Sequence, residues 1–518
     1  MKLDYIHEGR ALRIAVGIMV LVLLLAGSAG AATLTVNASG GADYTRLQDA
    51  INNATNGDTI EVHSGTYSEN VNVTKQLTLR GIGNPVVNAG GSGNAITLAA
   101  DGIILEGFTA TGAGDYPEAG IVVISSNNTL IGNNANGNGA FAISVGIYLS
   151  YSSNNTLIGN NANSNRNGVV QYVSGYGIYL SYSSNNKLSG NNADDNGYRP
   201  GYGIYSSSSS NNTLIGNNAS GNGAYYGSGI SLGGDNNTLI GNNAWGNGGD
   251  GISLSGDNNT LIGNNARWNN GGNPGHTSGI FVDGSNNTLI GNNASSNYGW
   301  QSGSGISLGG SNNTLIGNNA SSNNGDLFGS GISVGSNNTL IGNTANSNYC
   351  RNPEPYCAGI ILGGSNNTLN SNIASNNGDP DYGYGFGIRL ESSSNNLIYN
   401  NIFNNTNNVQ LNDSNINNWS ITKQSGTNIL GGPFLGGNFW AHPNGTGFSQ
   451  TCPDSNKDGI CDIQYTIDGE NIDYLPLSGQ FIGHISEYSP DRSDICMSIF
   501  QGLTWAATRK QWPGYTMK

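Results

Sequence analysis

The stretch SNNTLIGNNA, Ser126 to Ala135, recurs in near-copies down most of the 518-residue chain. Aligned on its leucine, the copies fall at Leu130, Leu157, Leu188, Leu214, Leu239, Leu261, Leu289, Leu315, Leu340, Leu369 and Leu397. A Gly-Ile pair precedes each leucine, as in GISL at Gly229-Ile230 or GIFV at Gly279-Ile280, and the step from that Ile to the leucine stays at 8 to 10 residues. The variation lies elsewhere. From the Ala that closes GNNA to the next Gly-Ile, the chain takes from 7 residues (Ala244 to Gly251) to 15 (Ala162 to Gly177).

A repeat with one fixed arc and one elastic arc is a coil whose insertions leave from one corner. GIYL and NTLIG are short, aliphatic and bounded by Gly, Ser and Asn, so both read as strands. Neither holds the i, i+3, i+4 pattern that a helix needs. The prediction is an all-β fold: a right-handed, single-stranded parallel β-helix of about fifteen coils, ~70 Å long at one strand spacing per coil. Leucines would stack on leucines, and asparagines at equivalent bends would pass amide hydrogen bonds from coil to coil, because a buried amide must be paired. A leucine-rich repeat has a similar period but needs more aliphatics and a helical or extended return arm, which the Gly-, Asn- and Ser-filled arcs do not supply. The pattern does not decide whether Ile131 faces in or out.

The ends depart from the repeat. TRLQDAINNAT places Thr45 and Gln48 at capping-box spacing, with Leu47, Ala50, Ile51 and Ala54 on one face of a short helix that would plug the first coil. The expected organisation is a signal peptide at 1–32, an N-terminal cap with divergent coils at 33–118, regular repeats at 119–402, C-terminal coils and cap at 403–480, and an atypical tail at 481–518. The signal reading rests on Lys2, Arg10 and Arg13 before the apolar run from Ile14 to Ala26, with a small-residue cleavage site near Ala31. Nothing later is long enough to cross a bilayer. The chain is therefore expected to be secreted or held at the cell surface or envelope.

Only 10% of residues are charged and the net charge is −14. That balance excludes a nucleic-acid partner, which needs Lys and Arg against phosphate. Outside the cell, five cysteines imply disulfides with one thiol left over. Cys350 with Cys357 would pin an elastic arc, Cys452 with Cys461 would bracket a C-terminal loop, and Cys496 is the odd one.

Three segments together resemble the NosD-type right-handed parallel β-helix family of PbH1 repeats, also described as carbohydrate-binding and sugar-hydrolase (CASH) domains, with a pectin-lyase-like solenoid. They are DYTRLQDAINNATNGDTIEVHSGTYSENV at 43–71, the GI(Y/S)L…SNNTLIGN coils, and GGNFW…GTGF at 436–448. The resemblance covers nearly all of 33–480 and implies an exported envelope protein. The family is also associated with periplasmic copper. Copper needs imidazole, thiolate or thioether ligands, yet the methionines are Met1, Met19, Met497 and Met517, and His276 is the one coil histidine. No copper site is expected.

Candidate functional residues fall in four groups. In CPDSNKDGICD, Asp454, Asn456, Asp458, the carbonyl of Ile460, and Asp462 stand at calcium-loop positions 1, 3, 5, 7 and 9, with Gly459 at the sharp turn. Tyr465 replaces the usual bidentate Glu, so a structural calcium ion in a short extracellular-type loop is the expectation. Every elastic arc carries an aromatic, and Tyr225, Tyr226, Trp245, Trp268, Tyr298 and Trp300 are the candidates for a stripe that contacts a polysaccharide. The same rings could instead fold back over outward-facing aliphatics. Asp235 and Asp257 occupy one place in consecutive coils and are the weak candidates for catalysis, at a spacing near that of a retaining glycosidase pair. This gives two readings: a structural or carbohydrate-binding surface protein, or a polysaccharide-processing lyase, epimerase or glycoside hydrolase on the same scaffold. Lastly, NNT tripeptides are N-glycosylation acceptors. Most are expected to be consumed by the asparagine ladder, leaving Asn37, Asn53 and Asn72 as better acceptors.

Overall fold

The computed structural model describes residues 31–481 except 140–141, 167–173, 273–274, 352–356, 379–384 and 414. All but the last two residues of the expected signal peptide at 1–32, the tail beyond 481 and Cys496 lie outside the described residues. Thr33–Gly483 forms one compact unit.

That unit is a parallel β-helix with two long sheets. The leucine sheet has fifteen strands, from Thr33–Val36 to Leu397–Tyr399, and the isoleucine sheet has fourteen, from Val71–Val73 to Asn407–Asn412. Like stacks on like: Leu130 pairs with Leu157, Leu157 with Leu188, and Ile147 with Ile178, Ile178 with Ile204. The stacked leucines from Leu130 to Leu369 are all 0% exposed. Ile131 and its equivalents face outward, and Ile158, Ile240, Ile262 and Ile341 are over a third exposed. The sequence pattern shifts in the last coil while the strand register is kept. Leu397 pairs with Thr368 and Ile398 with Leu369, so Ile398, not Leu397, is the core residue there, because in SSNNLIYN the Leu stands in the outward place that Thr, or once Lys187, holds in the other copies.

The third face is narrower. Through the regular coils it is a line of single-residue bridges running from Asn134 through Asn161, Asn192, Asn218, Asn243, Asn265, Asn293 and Asn319 to Thr344. Three-stranded sheets flank it, formed by Thr66–Tyr67, Val86–Asn88 and Thr109–Thr111 at one end and by Ile373–Ser375, Ile402–Asn404 and Phe439–Ala441 at the other.

The bends explain why ten residues repeat so faithfully. Each of three bends is made by one residue in the left-handed region followed by a buried Asn: Asn127 (φ 61°) then Asn128, Gly132 (φ 60°) then Asn133, and Gly137 (φ 63°) then Asn138. Gly and Asn adopt that conformation at least cost. At the first bend the left-handed residue is Asn in eleven successive coils: Asn127, Asn154, Asn185, Asn211, Asn236, Asn258, Asn286, Asn312, Asn337, Asn366 and Asn395. The buried asparagines form three ladders. In the middle one, Asn133 donates its backbone N–H (3.0 Å) and its amide (2.9 Å) to Asn160 Oδ1, and the amide also reaches back to the Leu105 carbonyl (2.9 Å). One side chain thus serves three coils, and substitution would strand partners on both sides.

The elastic arcs all leave between the third ladder and the next Gly-Ile. Asn247 precedes Gly251 by four residues, and Asn165 precedes Gly177 by twelve. The extra length therefore escapes along one edge, as the fixed-arc argument requires. Four arcs pair through Asn270–Gly271, Tyr298–Gly299, Asn324–Gly325 and Tyr349–Cys350.

The N-terminal helix is Leu47–Asn53, with Leu47, Ala50 and Ile51 buried. Its predicted capping box is not formed. Arg46 is the N-cap, so Gln48 falls one position short, and the Glu69 carboxylate instead accepts the N–H groups of Leu47 (2.9 Å) and Gln48 (3.2 Å). At the other end the ladders are terminated by side chains. Asn471 Oδ1 accepts from Asn417 N–H (2.9 Å), Asp473 Oδ2 from Asn438 N–H (2.7 Å), and Asn408 Oδ1 from Asn405 N–H (2.9 Å). Phe403, Trp419 and Trp440 stack over the last coil.

Candidate ligand-binding groove on the third face

Two consecutive coils differ from their neighbours on the third face. Where other copies continue GNNA with Asn, Asp or Ser, these read GNNAWGN and GNNARWN. Trp245 and Arg267 take the place after the buried Ala, and Gly246 and Trp268 take the left-handed place. The two stacked outer asparagines beside them are joined, Asn265 Nδ2 donating to Asn243 Oδ1 at 2.7 Å. Together Asn243, Trp245, Gly246, Asn265, Arg267 and Trp268 line a shallow groove of ≈ 500 Å³.

Trp268 is the telling member. It is 61% exposed and sits at φ 60°, a conformation that costs a non-glycine residue ~1–2 kcal/mol. The equivalent positions hold Gly, Ser, Asp or Asn. The strain therefore brings no burial in return, and residues held in such conformations cluster at active sites and ligand clamps. Trp245 is 50% exposed, and a Cβ at Gly246 would meet nothing within 4 Å. Arg267 is exposed and makes no ion pair among the described residues. The groove thus offers two indole faces, one guanidinium and two amide side chains.

The other predicted aromatics do not share it. Arg199 covers the face of the Tyr225 ring, 3.3 Å from its centroid. The Tyr298 hydroxyl donates to Asp326 (3.1 Å), which Arg351 approaches at 3.7 Å. Tyr226 and Trp300 are exposed in separate arcs. The six residues are thus divided between one groove, two local clusters at Tyr225 and Tyr298, and the separately exposed Tyr226 and Trp300. Sequence reasoning missed Arg267, whose signal was its place in the pattern. It also missed Tyr151 and Tyr182, exposed at φ 49° and stacked at 4.9 Å. Tyr148, Tyr179 and Tyr205 project outward from the GIY strands. They stack with Tyr116, Tyr176 and Tyr202 to cover Val122 and Val145, and burial raises the Tyr176, Tyr202 and Tyr205 hydroxyls above the ordinary phenol range.

Asp235 and Asp257 lie at the first bend, away from the groove. Each carboxylate ties one coil to the next: Asp235 Oδ1 accepts Asp257 N–H (2.8 Å) and Asp257 Oδ1 accepts Ser285 N–H (2.7 Å). In the C-terminal loop, Asp454 accepts the N–H groups of Asp458 (3.1 Å) and Gly459 (2.9 Å), Asn456 Oδ1 accepts from Asp458, and Asp462 holds Ser455. Ile460 N–H donates to Asp458 Oδ1 at 3.0 Å. Burial pushes Asp458 up, but the Lys423 ammonium paired to it and the Ile460 N–H outweigh that and hold it below the usual carboxylate range. Among the described residues, no three His, Cys, Asp or Glu side chains group as a metal shell. Cys350–Cys357 and Cys452–Cys461 are both disulfides, with Cα separations of 5.9 and 5.7 Å.

A family model described as "Periplasmic copper-binding protein (NosD)" matches residues 51–244, 170–276 and 218–445. A cell surface glycoprotein of Methanothermus fervidus is 35% identical over 118 residues, 22% of this chain and 20% of that protein, so the match spans about a fifth of the relative's length. Among solved structures, the A-module of the Azotobacter vinelandii mannuronan C-5 epimerase AlgE6 has a TM-score of 0.38 at 15% identity, covering 72% of this chain and 90% of its own. Pectate lyase Pel9A has a TM-score of 0.27 at 15% identity, covering 75% and 80%. No described helix is long and apolar enough to cross a membrane.

The residues present do not fit the copper of the family description. Residues 31–481 contain no Met, and their four cysteines are all in disulfides. Their histidines, His63, His276 and His442, stand in a leucine-sheet strand, an isoleucine-sheet strand and the C-terminal cap respectively.

Proposed function

The chain belongs to the NosD family, and from that premise we propose that it is an exported cell-surface or envelope protein whose third face binds an extended polysaccharide between Trp245 and Trp268. Indole faces suit the C–H faces of sugar rings, and Asn243, Asn265 and Arg267 supply hydrogen bonds to hydroxyls at the groove edge. The relative named as a cell surface glycoprotein supports the location. The observation that carries the binding reading is the solvent-exposed Trp268, held in a strained conformation that the fold does not require.

One substitution separates binding from structure. Trp268→Gly keeps the left-handed bend, so it should leave stability unchanged or raise it by ~1 kcal/mol. Binding to soluble polysaccharides, measured by affinity electrophoresis and calorimetry, should weaken at least tenfold, or ~1.4 kcal/mol. Unchanged binding, or a lower melting temperature, would refute the reading. The catalytic alternative has less support, since Asp235 and Asp257 each spend an oxygen on a rung of the first bend.

A further inference from the structure

The first bend of the coil carries a second chemical pattern. Nine of its eleven left-handed asparagines open an Asn-Asn-Thr tripeptide, from Asn127-Asn128-Thr129 to Asn366-Asn367-Thr368. In such a tripeptide the acceptor is the first Asn. The expectation that the ladder consumes these tripeptides is overturned, because the ladder uses the second. Asn128 is 1% exposed, with its amide donated to Ser125 and Asn155. Asn127 is exposed, and among the described residues its side chain makes no hydrogen bond. Its backbone N–H alone is committed, to the Ser153 carbonyl at 3.1 Å. The division holds in all nine coils: the first Asn is exposed, the second buried.

Packing does not require the Thr, although Thr33, Thr59 and Thr78 also stand in its column without the tripeptide. At its outward position the same sheet accepts Lys187 after Asn185-Asn186 and Leu397 after Asn395-Asn396, with the strand register kept. The hydroxyl therefore recurs in nine coils without the fold requiring it.

We propose that this corner is an N-glycosylated spine, a reading that rests on export and not on the groove. In the transfer, the acceptor Nδ2 forms a bond to C1 of a sugar carried as a lipid-linked glycosyl phosphate. The C1–O bond to phosphate breaks, the lipid phosphate leaves, and the amide proton goes to it. Acceptors on adjoining coils stand about one strand spacing apart, ~4.8 Å. A glycan is bulkier than that, so neighbouring sites exclude each other and occupancy is staggered. The spine projects from the bend between the isoleucine and leucine sheets and leaves the third-face groove open.

The test is glycopeptide mass spectrometry on the full chain in a host that installs N-glycans. One arm keeps the native segment 1–32, and the other replaces it with a host secretion leader. The native arm reports export. The leader-swapped arm reports modification whether or not the native segment works, so the two readings fail separately. The expected result is glycan on several of the nine acceptors, rarely on adjoining coils, and none on Asn185 or Asn395. Lys187→Thr should bring glycan to Asn185. A leader-swapped chain with all nine acceptors bare, with or without glycan at Asn37, Asn53 or Asn72, overturns the proposal, as does modification confined to coils that lack the Thr.

Discussion

The ladder makes a quantitative claim that Asn264→Ala tests. Asn264 is 1% exposed. Its amide donates to the Leu239 carbonyl and to Asn292 Oδ1 (both 2.9 Å), and its Oδ1 accepts the N–H and amide of Asn242 (2.9 and 3.0 Å). Truncation leaves the Leu239 carbonyl, the Asn242 N–H and one Asn242 amide hydrogen unpaired in the interior. At about 1–3 kcal/mol for each of the three stranded groups, the expected loss is about 3–9 kcal/mol, at or above the top of the range for single substitutions. Because solenoid stability is largely a sum of neighbour terms, the loss should appear as local opening. Native-state hydrogen exchange at the amides of Asn242, Asn264 and Asn265 should accelerate a hundredfold or more, since ~1.4 kcal/mol is tenfold. Asn236→Gly is the control: its side chain is exposed, makes no hydrogen bond among the described residues, and its left-handed backbone suits glycine. That variant should change stability by no more than ~0.5 kcal/mol. A cost below ~1 kcal/mol for Asn264→Ala, or equal costs for the two variants, would refute the three-coil role of each amide.

Other outcomes follow from the ends. Burial pushes Asp473 up to about 7, against the Asn438 N–H, the Trp440 indole and the Leu475 N–H that it accepts. The folded cap therefore holds a proton that the unfolded chain releases near pH ~4. This contribution is complete at low pH and is lost as pH rises from about 4 to about 7, so a melt followed by Trp419 and Trp440 fluorescence should fall over that window, and Asp473→Asn should flatten it. A rise over the same window would contradict the assignment. Calcium can enter the Asp454–Asp462 loop only by displacing Lys423 from Asp458. Lys423→Ala should then tighten binding at least tenfold by calorimetry, and the absence of heat in either protein would remove calcium from the account. Glu69→Gln should destabilise the N-terminal cap by ~1 kcal/mol in chemical denaturation, through loss of the charge at the helix start. No change would mean that water caps the helix equally well.

How much of this was legible in the sequence depended on whether a position answers to its neighbours one coil away. Leu130 and Asn128 must match their copies, so the fixed arc, the core and the ladders could be read from periodicity, as could the single edge from which the arcs leave. Two errors came from treating the repeat as a string. Aligning Leu397 with the leucines missed that it stands in the outward place of Thr, with Ile398 in the core. Reading NNT as one unit hid that its two asparagines face opposite ways. The stripe of aromatics was only partly legible, since the arc rings of Tyr225 and Tyr298 are taken up by local partners, Arg199 and Asp326, while Trp245 and Trp268 sit on the lattice itself. The capping box failed on one residue of phase that only coordinates resolve: Arg46, not Thr45, ends the extended chain.

The same lattice says where new chemistry can be written. In each coil the inward Leu, Ile and Ala and the three buried Asn are fixed by stacking. The left-handed bend residues, the place after Ala, the outward strand positions and the arc remain free. Each unusual residue at a candidate site falls in one of those places: Trp245 and Arg267 after Ala, Trp268 at a bend, and Asp235 and Asp257 beside the first bend. Most such departures cost the stack nothing, so they could accumulate by drift. Trp268 and the pair Tyr151 and Tyr182 are different, because a bulky residue at positive φ carries a cost that an exposed ring does not recover by burial. For Trp268 the proposed function assigns the compensation to a ligand bound in the groove. Tyr151 and Tyr182 must recover theirs from each other's stacked faces, and Tyr182→Gly should then leave Tyr151 the less ordered ring.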